Sequence, residues 1–141
     1  MTDATSIHAT CVAFDGRAAL IKGASGSGKS ATGLMLMGLG CALVADDRTV
    51  LRRRGDAVMA HCPDAIRGMI EARSVGLLNA ACVDDAQVVL VVNLDETEDR
   101  RLPERRSVTL LGLDIPLIGH NSGPHFVPAI LQILKAGWSN K

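Results

Sequence analysis

Tyrosine is absent from this chain, and the only other large aromatic residues are Trp138, Phe14 and Phe126. So few aromatic faces exclude a base-stacking surface for single-stranded nucleic acid. An excess of charge is missing too: fifteen Lys and Arg balance fifteen Asp and Glu over 141 residues. No long-range field therefore steers the molecule to nucleic acid or to an anionic membrane, and any recognition of charge must be local. No apolar run approaches the ~18–20 residues that cross a bilayer, and no charged-then-apolar leader opens the sequence. The expectation is a cytoplasmic protein with no membrane and no nucleic-acid partner. Cys11, Cys41, Cys62 and Cys82 are widely spaced and form no C-x-x-C pair. Cys11, Cys41 and Cys82 lie among apolar or small residues and read as small core hydrophobes in a reducing compartment, ahead of a zinc site or a disulfide frame.

Apolar residues make up 48% of the chain and charged residues 21%. That is ordinary for a globular domain, and the length suits one domain, 1–141, with residues 1–6 expected to fray. Within it, Gly23-Ala24-Ser25-Gly26-Ser27-Gly28-Lys29-Ser30 matches G-x-x-x-x-G-K-[ST], the phosphate-binding loop. Glycines let the backbone curl so that N–H groups point at phosphate oxygens. Lys29 supplies a point charge, and the Ser30 hydroxyl can ligate Mg²⁺. The bland alternative is a Gly/Ser turn with a chance lysine. Context favours the loop, because an apolar strand-like run, Ala18 to Ile21, precedes it and a helix-like run, Ala31 to Leu39, follows.

Patterning along the rest of the chain suggests a mixed α/β domain with few helices. Ile7–Phe14 and Arg17–Lys22 are strand candidates joined by Asp15-Gly16, a pair suited to a two-residue hairpin turn. The loop would thus hang from a hairpin. A buried helix is expected over Lys29–Leu39 and a strand over Cys41–Ala45. Thr49–Arg53 and Ala57–Ala60 flank a turn at Arg54-Gly55-Asp56. Cys62–Met69 is turn-rich and Ile70–Ser74 short and extended. Val88 to Val92 marks the clearest central strand, within Gln87–Asn93. A charged connection over Leu94–Arg105, strands at Ser107–Leu111 and Asp114–Ile118, and a helix over Ile130–Ala136 complete the pattern.

Several polar groups are candidates for chemistry. Asp46 and Asp47 end an apolar strand one helix after the loop, where one carboxylate can hold Mg²⁺ and another take a proton from a hydroxyl. Adjacent strand residues point to opposite faces, so the two need not reach one centre. Glu71 and Arg73 would face the same way from an extended segment, as a metal-directed carboxylate beside a guanidinium or as a plain surface ion pair. His8 reads either as a surface histidine or as a partner of the acidic pair. His120 to His125 is a polar loop that can touch phosphate or simply turn the chain. Arg100 or Arg101 can clamp a terminal phosphate, or sit in a solvated loop with Arg105 and Arg106.

Taken in order, these pieces resemble the catalytic domain of HPr kinase/phosphorylase. The matching residues are His8 ahead of a hairpin, Gly23 to Ser30, Leu43-Val44-Ala45-Asp46-Asp47, and Ile70-Glu71-Ala72-Arg73-Ser74-Val75-Gly76. Leu110 to Pro116 is similar to the segment before the family's mobile catalytic loop, so the resemblance runs roughly from His8 to Ile118. It implies a P-loop kinase-like fold and an ATP- and Mg²⁺-dependent serine kinase acting on an HPr-like phosphocarrier protein of a phosphotransferase system. The same site can run backwards, with inorganic phosphate attacking phosphoserine. Lys29 and the loop amides of Gly23, Ala24, Ser25, Gly26, Ser27, Gly28 and Ser30 would hold phosphates, and Ser30 with Glu71 would organise Mg²⁺. Asp47, assisted by Asp46 and His8, would be the base, and Lys29 and Arg73 would complete the catalytic set. A homo-oligomer is implied as well.

Three departures stand beside the resemblance. The family's long members carry an additional N-terminal domain, so this sequence looks like a short form. Ser74 stands where a glycine is expected, and Ile118-Gly119-His120-Asn121-Ser122 replaces a basic, Arg- and Pro-rich loop. The phosphate-binding loop Gly23–Ser30 also suits two rivals, a small-molecule kinase or NTPase and a nucleotide-sensing regulatory module, the latter supported by the missing basic loop.

Overall fold

The valine-rich run becomes the spine of the molecule in the computed structural model, which describes residues 4–140. This strand, β9 (Ala86–Thr97), is twelve residues long. Before it in the chain come β1 (Ala4–Ile7), β2 (Ala9–Phe14), β3 (Arg17–Lys22), α1 (Lys29–Gly38), β4 (Ala42–Ala45), β5 (Thr49–Arg54), β6 (Ala57–His61), β7 (Met69–Ala72) and β8 (Gly76–Asn79). After it come β10 (Arg106–Leu110), β11 (Leu113–His120) and α2 (Phe126–Ala136).

The main sheet runs β1-β5-β6-β9-β3-β2-β4. β3 lies parallel to β9 and antiparallel to β2, so one strand joins two kinds of ladder. The β2–β3 turn holds Asp15 at φ 52° and Gly16 at φ 78°, the left-handed pair that matches the twist of a two-residue hairpin. On the far flank β9 is shared. Its start pairs antiparallel with β6, and from Val91 onward it pairs parallel with β11, which carries β10 on its outer side. β7 and β8 form a small separate hairpin. The result is a mixed α/β fold with few helices, as the patterning implies.

Strand alternation divides the core into two layers. Ala18 and Leu20 of β3 face a cluster with Val44, Leu51, Val58, Val88 and Ile115. Ala19 and Ile21 face the opposite cluster, under the helices, with Leu36, Leu90, Ile130 and Leu134. A register shift between Ala18 and Ala19 pairs them with Val88 and Leu90 and leaves Val89 as an extra residue. Both faces of β3 and β9 are therefore apolar, which is why these strands read as continuous hydrophobic runs.

Several boundaries differ from the sequence expectation. Ala4 to Ser6, expected to fray, pair with Arg52 to Val50 as part of β1, while residues 1–3 lie outside the described residues. β9 extends through Leu94 to Thr97, because β11 continues beside it and offers backbone partners as far as His120. Polar side chains at a sheet's end hide such an extension from hydropathy. α2 starts at Phe126, and Pro128 sits in its first turn, where its missing N–H costs no hydrogen bond. Ile70–Ser74 is only partly extended: the strand stops at Ala72, and Ser74 turns the chain at φ 66°. Cys11, Cys41 and Cys62 are buried, and burial pushes their thiols up from the ordinary range, so they carry no thiolate at neutral pH. Among the described residues no helix is long and apolar enough to cross a membrane.

Candidate functional site

Chain geometry concentrates polar groups where β3 ends and α1 begins. Gly23 leaves the strand, and a Cβ at that position would lie 2.5 Å from Ser27 Oγ, so the turn closes only around glycine. Gly28, at φ 101°, is the N-cap of α1. It brings no side-chain cap, and the first turn of the helix contains no acid. The helix therefore presents its unpartnered N–H groups and positive dipole end to the outside, where an anion is welcome.

Lys29 is the first residue of that helix and only 7% exposed. Its Nζ donates to the carbonyls of Gly23 and Ala24, at 3.0 and 3.2 Å. An ammonium has three donors, so one remains for a ligand. The loop's own amides are not equivalent. The Ala24 N–H donates to the Asp95 carboxylate, at 2.9 and 3.1 Å from its oxygens, and the Ser27 N–H donates to the Ala24 carbonyl. Ser27 Oγ is buried without a partner. Cβ atoms built on Gly26 and Gly28 meet nothing within 4 Å, so the outer side of the turn is open.

The two aspartates separate into different environments. Asp46 is 8% exposed and accepts from Thr10 Oγ1 (2.9 Å), Ser30 Oγ (2.6 Å) and the Glu71 N–H (2.9 Å). One carboxylate thus ties β2, α1 and β7 together. Asp47 sits in the left-handed region at φ 63°, its N–H held by Thr10 Oγ1. That twist breaks the strand alternation and lets both acids border one cavity. Asp47 is 63% exposed, and its Oδ1 lies 3.8 Å from both Lys29 Nζ and His8 Nδ1.

A cavity of about 740 Å³ collects most of the sequence candidates: Ser25, Gly26, Gly28, Lys29, Ser30, Asp46, Asp47, Glu71 and Arg73. His8 joins through Asp47. Glu71 is placed by its backbone on Asp46, and Arg73 comes from the β7–β8 turn. No Glu71–Arg73 ion pair forms among the described residues. Gly23, Ala24 and Ser27 belong to the same turn, and the remaining candidates lie elsewhere. Arg100 and Arg101 border a separate 220 Å³ cavity with Trp138. His120 packs edge-on against Phe126, and Asn121 accepts the Gly123 N–H, so this loop is a packed turn leading into α2. Thr10, Arg48 and Asp95 are site residues that sequence reasoning missed. Thr10 is hidden inside an apolar strand, and Asp95 lies far along the chain from the loop it holds.

Fold and polar centre together define a class: mixed α/β domains whose polar site is a glycine-rich strand-to-helix turn facing an acidic strand end. Within that class the family is specific. Residues 1–118 match the model of the HPr Serine kinase C-terminal domain, and the chain belongs to this family. The HPr kinase/phosphorylase of Streptococcus mutans serotype c is 33% identical over 131 residues, covering 84% of this chain and 42% of that protein. The HPr kinase/phosphorylase of an Exiguobacterium species is 32% identical over 127 residues, covering 81% of this chain and 41% of that protein. The chain thus spans less than half the length of these curated relatives. The solved structure of the Hpr(Ser) kinase/phosphatase from Coxiella burnetii is similar with a TM-score of 0.77 at 25% identity, covering 93% of this chain and 88% of that one.

Proposed function

We propose that residues 1–141 form a single P-loop kinase-like catalytic domain, entered from the β2–β3 hairpin, that phosphorylates a serine of an HPr-like phosphocarrier protein with ATP in the cytoplasm. One observation carries the reading: a buried lysine at an uncapped helix N-terminus lies 3.8 Å from an exposed carboxylate. That pairing places a phosphate-binding charge next to a proton acceptor, and phosphoryl transfer needs little more than alignment and charge neutralisation.

The donor set fits a magnesium nucleotide. Among the described residues no three His, Cys, Asp or Glu side chains converge to cage a metal. Mg²⁺ suits such a site, because it takes one or two protein oxygens and completes its shell with phosphates and water. Ser30 and Glu71 would supply those oxygens, and the bound ion would neutralise charge on the outer phosphates. Asp46 orients Ser30 through their 2.6 Å bond. Lys29 and the α1 N–H groups hold the phosphates. Asp47 accepts the proton of the substrate serine while its oxygen bonds to the γ-phosphorus and the bond from phosphorus to the β-phosphate oxygen breaks, releasing ADP. In reverse, inorganic phosphate attacks the phosphoserine phosphorus and Asp47 returns the proton to the serine oxygen.

Arg73 is the one arginine among the described residues that borders the cavity. That favours a second reading, a nucleotide-sensing module that binds ATP without transferring phosphate. Incubation with γ-labelled ATP, Mg²⁺ and a purified HPr-like protein separates the readings. Label on a serine of the carrier supports the kinase. Tight ATP binding with no label supports the module, and ATP turnover indifferent to the carrier points to a small-molecule kinase or NTPase.

A further inference from the structure

Arg48 follows the acidic pair directly. Its guanidinium reaches back to the β1–β2 junction, where Nη2 lies 3.2 Å from His8 Nε2 and Nη1 lies 3.4 Å from Ser6 Oγ. An arginine only donates and stays protonated, so the ring nitrogen facing it must be the acceptor. A neutral imidazole has one acceptor nitrogen. With Nε2 taken, the ring proton must sit on Nδ1, the nitrogen 3.8 Å from Asp47 Oδ1.

We propose that Arg48 is a positioning residue: it fixes the Nδ1–H tautomer of His8, and His8 in turn fixes which oxygen of Asp47 is the base. Oδ1 is flanked at 3.8 Å by Lys29 Nζ on one side and His8 Nδ1 on the other. Lys29 brings its positive charge and His8 its Nδ1–H to this side, so Oδ1 is the more strongly stabilised oxygen. Oδ2 has no partner among the described residues and is left to take the serine proton. His8 and Asp47 are both largely exposed, with side-chain exposures of 67% and 63%. Packing therefore does not lock either one: the hydrogen bond from the charged Arg48 orients the His8 ring, and Asp47 meets Lys29 and His8 only as contacts at 3.8 Å.

The role in transfer rests on the kinase reading, but the tautomer does not. Nitrogen-15 NMR of the histidine side chains, at a pH where the ring is neutral, reads it on the intact chain without any substrate. Assignment comes from His8→Gln. The expected wild-type spectrum shows His8 as Nδ1–H. Arg48→Met, which keeps the stem but loses the donors, should let the ring move to Nε2–H, and Arg48→Lys should restore at least part of the wild-type form. In the labelling assay Arg48→Met should lower kcat about tenfold with the KM for ATP unchanged, since neither the loop nor Lys29 is touched. Nε2–H in the wild-type chain overturns the proposal, as does an unchanged tautomer or an unchanged kcat in folded Arg48→Met. If Arg48→Met does not fold, the wild-type spectrum and Arg48→Lys decide. A wild-type chain that shows Nδ1–H yet never labels a carrier would defeat the kinase reading while the Arg48–His8 assignment stands.

Discussion

The Lys29 cradle and the arginine-lined cleft beside α2 both gather cations around a cavity, yet they are built differently. In the cradle, two carboxylates are fixed by bonds to remote parts of the chain: Asp46 ties Thr10, Ser30 and Glu71, and Asp95 ties Ala24. In the second cleft Arg106 is committed to Glu96, and Arg105 lies over the Trp138 ring, 4.7 Å from its centroid. Arg100, Arg101 and Arg105 are exposed on the segment between β9 and β10. The cradle holds one buried cation and leaves it a free donor, whereas the cleft has several cations and no built receptor. Preorganised donors, more than the number of charges, make a site for a charged transition state.

The widest test of that contrast exchanges one cation from each place. Lys29→Ala should lower carrier phosphorylation about 10³-fold, because its charge matters most as the γ-phosphoryl departs. Arg101→Ala should stay within about twofold of wild type by the same assay. Equal losses would mean that the second cleft contributes to transfer and that the two regions are not functionally distinct.

A sharper comparison lies between neighbours. Asp47→Asn should reduce the transfer rate about 10²–10⁴-fold with the urea midpoint unchanged, since the side chain is exposed and its nearest partners are 3.8 Å away. Asp46→Ala should destabilise the fold by about 3 kcal/mol, because Thr10, Ser30 and the Glu71 N–H lose their acceptor together. Activity and urea unfolding, measured on both variants, check the division. A stable Asp46→Ala would show that the three donors find water instead.

How far the sequence could lead follows the same line between local and remote. The turn Gly23–Ser30 is legible because curling the backbone needs glycines at fixed spacing, which a short window contains. The Asp15-Gly16 turn is legible for the same reason. Which aspartate is buried is not legible, since the answer depends on Thr10, thirty-six positions away. Nor is Arg48 legible: its partner His8 is forty positions earlier, and a surface arginine after two acids looks like ordinary solvation. Arg100 looks like a phosphate ligand by composition, but it borders the separate cleft with Trp138, while the His120 loop borders a cavity with Thr32 and Met35 of α1. Residue type was informative wherever the constraint was local, and misleading where a crossover decided the address.

The smallest expected effect belongs to the second cleft and probes whether its charges are merely structural. Glu96 accepts from Arg106 Nη1 at 2.9 Å and from Asn93 Nδ2 at 2.8 Å. The Arg106 hydrogen bond, then the Asn93 one, holds its carboxyl below the ordinary value of 4.5. A carboxylate whose folded value is depressed binds protons less readily in the native state than in the unfolded one. Its contribution is therefore complete above pH ~4.5 and fades as pH falls through the lower folded value. Wild type should melt slightly above Arg106→Met at neutral pH, and the two curves should converge in acid. High salt should narrow the neutral-pH gap as well, because an exposed pair is screened. A gap that persists in acid and in salt would instead locate the stabilisation in the packed stem of Arg106. The second cleft would then be held by contact rather than by charge, which would widen its difference from the Lys29 cradle.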